Sequence, residues 1–201
     1  MIVVGLTGSI GMGKSVLARQ IKTLGIPVHE ADAAVHKLLG VGGAAVQKLG
    51  KIFPAALRNN AIDRKILGQI VFHDAHARKI LEKILHPLVR RDSEDFLKMC
   101  RLKGFKIAVL DVPLLFETRQ TQRFDYIICV TAPQFVQTRR VMSRSGMSLT
   151  RLRAVLKLQM PDAVKKRQAD TVICTARGYS SSLRSVQKLM KILRDDRFKT
   201  E

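Results

Sequence analysis

With 201 residues, 46% hydrophobic and 26% charged, the chain can bury one core with an inserted subdomain and is too apolar to stay disordered. No apolar run approaches the ~18 residues of a membrane span, and the opening residues lack a secretory leader's basic start and cleavage site, so a soluble cytoplasmic protein with no membrane partner is expected. The 36 Lys and Arg against 16 Asp and Glu give +20, a field that draws polyanions, but scattered basic residues and few aromatics make nucleic acid an unlikely partner.

The chain opens on a β-branched apolar run, residues 2 to 6 (IVVGL), which reads as a buried strand. Helical periodicity follows over 14 to 24, and a second strand is expected at 26 to 29 (IPVH). Much of 33 to 100 is helical in pattern, far more chain than a simple crossover needs, and reads as a helical insertion. Strands are expected again at 107 to 112 (IAVLDV), 126 to 130 (YIICV) and 171 to 174 (TVIC), with helices at 133 to 145, 149 to 159 and 180 to 195. This alternation predicts an α/β fold with a five-stranded, mainly parallel sheet flanked by helices. Gly40 to Gly43 and Arg177 to Ser182 are too short as linkers to separate independent domains. Cys100, Cys129 and Cys174 lack paired or metal-ligand spacing and read as reduced, mostly buried thiols.

Between the first strand and first helix lies Gly8-Ser9-Ile10-Gly11-Met12-Gly13-Lys14-Ser15, a match to G-x-x-x-x-G-K-[ST] in the context that its mechanism demands. Glycines let successive backbone N–H groups curl around phosphate oxygens, and the following helix turns its positive end to the same anion. Lys14 supplies a mobile charge for the outer phosphates, and Ser15 offers a hydroxyl to Mg²⁺. The loop therefore binds a nucleoside triphosphate, ATP in the reading that follows. The only asparagines are Asn59 and Asn60, which closes the guanine-reading Asn-Lys-x-Asp route, and the chain is short for a motor ATPase. A small-molecule kinase fits: a core at 1–32, 105–135 and 168–201, an acceptor-binding insertion at about 33–104 and a basic lid at about 136–167.

Such a kinase needs a group to align the acceptor hydroxyl. Glu30 and Asp32 follow the second strand, near the carboxyl edge where ligands bind. Asp32 either takes that role or caps the next helix. Asp111 ends the third strand and is either a carboxylate for Mg²⁺ or a buried strand end. Arg140 and Arg144 fall on one face of the expected helix, as a clamp on transferring phosphate or as a solvated basic face. His86, before Pro87, reads as a helix end.

Taken together, "VVGLTGSIGMGKS", "GIPVHEADAAVHKLL", "AIDRKILGQIVF", "LEKILHPLV", "VLDVPLLFE", "PQFVQTRRVMSR" and "LKLQM" resemble, in order and over nearly the whole length, the dephospho-coenzyme A kinase family. The resemblance implies ATP-dependent phosphorylation of the ribose 3′-hydroxyl of dephospho-coenzyme A. A monomer or weak homo-oligomer is expected. The resemblance also implies that Lys14 and Ser15 bind phosphates and Mg²⁺ and that Asp32 faces the acceptor hydroxyl. Arg64, His86, Leu114, Leu115 and Glu117 would form the coenzyme side, and Arg140 and Arg144 would belong to the lid over ATP. Two departures stand out. Glu30 replaces the first Asp of the family's Asp-Ala-Asp, and "VICTARG" puts Cys174 and Thr175 where Asp and Asn are usual, so polar contacts near the adenine are less secure. Another small-molecule kinase, such as a nucleoside or nucleoside monophosphate kinase, and a nucleic-acid-binding protein with a vestigial loop are the alternatives.

Overall fold

In the computed structural model, which describes residues 1–195, the opening run is β1 (Ile2–Thr7), buried from Val3 onward. A strand covered on both faces keeps no polar alternation, which is why it is written as a continuous apolar run. The chain continues through α1 (Lys14–Thr23), β2 (Val28–Glu30), α2 (Ala31–Leu39), α3 (Val46–Ile52), β3 (Leu57–Arg58), β4 (Ala61–Ile62), α4 (Arg64–His73) and α5 (Ala75–Leu102). It then forms β5 (Ile107–Asp111), β6 (Tyr126–Thr131), α6 (Gln134–Met142), α7 (Leu149–Lys157), α8 (Asp162–Gln168), β7 (Thr171–Cys174) and α9 (Tyr179–Arg194). The expected five-stranded parallel sheet is present, in the order β2-β5-β1-β6-β7. β1 pairs parallel with β5 on one side and β6 on the other, and Leu6 stands opposite Asp111. The carboxyl end of this central strand is the switch point where open α/β sheets bind ligands. Among the described residues, no helix is long and apolar enough to cross a membrane.

The chain packs as two compact units, one of Met1–His29 with the chain from Cys100 onward and one of Glu30–Met99. The expected core segment 168–201 includes 196–201, which lie outside the described residues. In the first unit, Val4, Leu6, Val109, Ile128 and Val130 of the sheet pack with Leu17 and Ile21 of α1 and with Val186, Leu189, Met190 and Leu193 of α9. The α9 residues recur at three- and four-residue steps, the spacing of one helical face. Each side chain so buried contributes about 1.5–3 kcal/mol over its exposed state. Cys100 and Cys129 lie buried as expected, and burial pushes the Cys129 thiol up to about 11. Cys174 departs from that expectation: it is exposed, because β7 is an edge strand.

The second unit has its own core, including Leu39, Val46, Leu49, Phe53, Ile62, Leu67 and Leu85. It contains an antiparallel hairpin absent from the periodicity reading, with Leu57 opposite Ile62 and Arg58 opposite Ala61. Asn59 and Asn60 make its two-residue turn at φ +46° and +56°, the left-handed pair that a hairpin's twist demands and that asparagine tolerates. The helix expected to end at His86 instead runs through it: α5 carries Pro87 inside. Pro87 is exposed, so the Lys83 carbonyl that loses its donor lies on a face open to water.

Two carboxylates start helices here. Asp63 accepts from Lys65 N (2.8 Å) and Ile66 N (3.1 Å), and Asp74 accepts from His76 N (2.7 Å) and Ala77 N (3.1 Å). These backbone bonds hold both carboxyls below their usual pKa. With the folded value below the unfolded one, the stabilisation is fully present above about pH 4 and is lost as pH falls through the folded value. Asparagine caps equally well but does not titrate. The double substitution Asp63→Asn/Asp74→Asn is therefore expected to lose less melting temperature than the native chain between about pH 4 and pH 2.5, followed by thermal circular dichroism.

Candidate active site

β1 delivers the chain into the glycine-rich loop, and α1 begins at Lys14. Gly13, which precedes the helix, sits at φ +92°, and a Cβ there would stand 2.7 Å from Thr175 Oγ1. At Gly8 a Cβ would meet the Val130 carbonyl oxygen at 2.7 Å. Only glycine fits either place, so the loop can run tightly under its neighbours and turn its amides toward the start of α1. Ser9 is buried and Ser15 exposed. Lys14 Nζ forms an ion pair with Asp111 Oδ1, their side chains only 13% and 7% exposed. The β1–β5 register brings Asp111 beside the loop, and the carboxylate compensates a cation otherwise stranded out of water.

Arg140 of α6 donates from Nη1 to Thr175 Oγ1 (2.8 Å) and from Nη2 to Thr175 O (2.9 Å), and Nη1 lies 3.5 Å from Gly11 O. Thr175 Oγ1 in turn donates to Met12 O at 2.6 Å. Thr175, the departure in "VICTARG", thus keeps a buried polar link between the loop and Arg140. Its role was invisible in the sequence, where the family pattern has asparagine. Thr175→Val keeps the shape and leaves Met12 O and one guanidinium N–H without this partner. It is expected to cost about 1–3 kcal/mol in chemical denaturation and to raise the KM for ATP. Arg144 departs from the expected helical face shared with Arg140: α6 stops at Met142, and Arg144 lies exposed in the turn beyond it. Ser143 Oγ donates back to Arg140 O (2.9 Å), the local competition that serine offers a helix end.

Past β5, Leu114 is 37% exposed, whereas Leu115 is fully buried with Phe116 and Ile127, so only Leu114 offers a side chain at the surface. Glu117 turns to the chain around α8, where its Oε1 accepts from Met160 N (2.8 Å) and meets Lys165 Nζ (2.8 Å). Lys165 is wholly buried, so this pair depends on its internal partners.

The second unit carries the remaining candidates. Asp32 is exposed in the first turn of α2, favoured by the helix's positive end. The N-cap position belongs to Glu30, which makes no side-chain capping bond, so the capping reading of Asp32 has no bond behind it. Arg64, first residue of α4, places Nη1 2.6 Å from His36 Nδ1. His36 was not singled out by sequence reasoning, though it lies four positions past Asp32 in the same segment. His86 lies exposed along α5.

Known proteins match this arrangement. The dephospho-CoA kinase family model covers residues 2–179. The dephospho-CoA kinase of Mesorhizobium japonicum is 46% identical over 98% of this chain and 99% of its own length. A crystal structure from Thermus thermophilus superposes with a TM-score of 0.79 at 34% identity, covering 95% of this chain and 96% of that one. The dephospho-CoA kinase from Campylobacter jejuni gives a TM-score of 0.65 at 29% identity, with 95% and 96% covered. With a phosphate loop at the switch point of a parallel sheet and a family match over most of its length, the chain belongs to the dephospho-CoA kinase family.

Proposed function

We propose that this protein transfers the γ-phosphoryl group of ATP to the ribose 3′-hydroxyl of dephospho-coenzyme A, giving coenzyme A and ADP. The observation that carries the reading is the glycine-rich loop with Lys14 held against Asp111 at the carboxyl end of the central strands, in a chain whose family acts as a kinase. In this reading amides of the Gly8–Ser15 loop bind the phosphates of ATP, apart from those of Ile10 and Met12, which donate to Gln159 Oε1 and Ser9 O, and Lys14 shifts from Asp111 toward the charge that develops on the transferring group. Asp32 receives the acceptor's hydroxyl hydrogen bond. A carboxylate is a weak base for an alcohol, so its main work is to align the oxygen. That oxygen bonds to the γ-phosphorus as the bond to the β–γ bridging oxygen breaks, and the hydroxyl proton departs through Asp32. Arg140, tied to the loop through Thr175, and Arg144 lie over the ATP side. Arg64, His86 and Leu114 contact the coenzyme, while Leu115 and Glu117 shape that side from behind.

The exposed hydroxyl of Ser15 and the carboxylate of Asp111 are hard oxygen donors, the kind suited to Mg²⁺. Bound with ATP, Mg²⁺ would screen phosphate charge. The protein is read as a cytoplasmic monomer or weak homo-oligomer. A coupled assay with ATP, Mg²⁺ and dephospho-coenzyme A, run beside a nucleoside panel, tests the proposal. Phosphate on the 3′-position, located by mass spectrometry, is expected; preferential turnover of a nucleoside would overturn it.

A further inference from the structure

Ile10, in the phosphate loop, is gripped on both sides by side chains that the proposed reaction does not use. Its N–H donates to Gln159 Oε1 (3.1 Å), and its carbonyl accepts from Gln137 Nε2 (2.8 Å). The two peptide planes that meet at this residue are therefore each fixed by a glutamine amide. The glutamines arrive from different places. Gln137 lies on α6, nearly buried at 4% exposure, and Gln159 lies in the turn between α7 and α8.

The turn that carries Gln159 is itself anchored twice. On one side the next N–H, that of Met160, donates to Glu117 Oε1 (2.8 Å), which also meets the buried Lys165. On the other, Thr131 Oγ1, at the end of β6, donates to Asp162 Oδ2 (2.8 Å). Segment 159–162 is thus pinned to the chain beyond β5 and to the end of β6, and from there Gln159 reaches the loop. A loop rich in conformationally permissive glycine needs such outside fixing to hold one set of amide directions.

We propose that Gln159 is a positioning residue for phosphoryl transfer: acting through Ile10 N–H, and opposite Gln137, its amide oxygen sets the phosphate loop so that the amides and Lys14 that follow converge on the transferring group. This rests on the kinase reading given above. Misaiming the loop weakens the transition state more than it weakens a bound diphosphate, because the start of α1 stays in place.

The test compares Gln159→Met, similar in length but without the acceptor, with Gln159→Glu, which keeps an acceptor for Ile10. Gln159→Met is expected to lower kcat about 10–100-fold while the Kd for ADP stays within about threefold. Its melting temperature should stay near that of the native chain. Exchange of the Ile10 amide hydrogen, read by NMR, should be at least ~10-fold faster in Gln159→Met and near native in Gln159→Glu. Native kcat in Gln159→Met, unchanged Ile10 exchange, or a matching loss of ADP affinity and melting temperature would each overturn the proposal. The exchange comparison needs no acceptor substrate, so a wrong acceptor assignment would show as absent turnover of dephospho-coenzyme A by the native chain, with Ile10 still responding to the Gln159→Met change.

Discussion

Lys14→Ala is expected to lower kcat by ~10³ or more at saturating ATP, the cost of removing a preorganised charge from a transferring phosphate. The structure adds a complication, because Lys14 also neutralises Asp111, whose side chain is only 7% exposed. Removing the amine takes this ion pair from a nearly buried carboxylate and should itself cost about 1–3 kcal/mol of stability. The double substitution Lys14→Ala/Asp111→Asn, compared with Asp111→Asn alone, separates the two effects. It should recover stability in urea titrations, since the amide needs no counter-charge, while turnover stays low. Turnover close to native in Lys14→Ala would contradict the assigned loop. Recovery of turnover in the double variant would make the lysine a structural counter-ion only.

For Asp32 the contrast lies between chemistry and binding. Asp32→Asn keeps the size of the side chain and some of its capacity to accept a hydrogen bond, but removes the charge that orients the acceptor hydroxyl. A loss in kcat of ~10²–10³ is expected, with ATP affinity nearly unchanged, because its work is done at the acceptor. The exposed place of Asp32 in the first turn of α2 limits the structural penalty to about 0.3–1 kcal/mol from the helix dipole. Steady-state kinetics alongside calorimetric titration of ATP decides the matter. A parallel loss of ATP affinity would move Asp32 out of the acceptor role.

The parts legible from the sequence are those with a repeating or spaced signature. β1, β5 and β6 are buried, mostly apolar runs, and the phosphate loop has fixed spacing between a strand and a helix. The hairpin at Leu57–Ile62 was not legible, because strands of two residues have no period to read. Its one signal was the Asn59-Asn60 pair, a turn dipeptide that reasoning about guanine recognition had put to another use. Pro87 misled in the opposite direction: proline marks a helix end only where its missing bond cannot be tolerated, and in α5 it falls on an exposed face. Arg140 and Arg144 were placed on one face by assuming a helix long enough for both, and Ser143 ends it first. Gln137, Gln159 and Thr175 lie in segments that the sequence reading singled out, but nothing in those segments says what each side chain touches. Their contacts with the loop arise only where distant segments cross.

The strand order also bears on how the chain is made. β1 leaves the ribosome well before its partners, which begin only at Ile107 and Tyr126, so the central ladder cannot zip until much later in synthesis. Residues 30–99 are contiguous and already hold the hydrophobic cluster around Leu49 and Leu67, so that cluster can condense while β1 still waits. Nascent chains at this stage carry an unpaired apolar, β-branched segment, the kind of exposed edge that invites association. Closing so wide a loop carries an entropy cost that the pairings of β1 with β5 and β6 must repay.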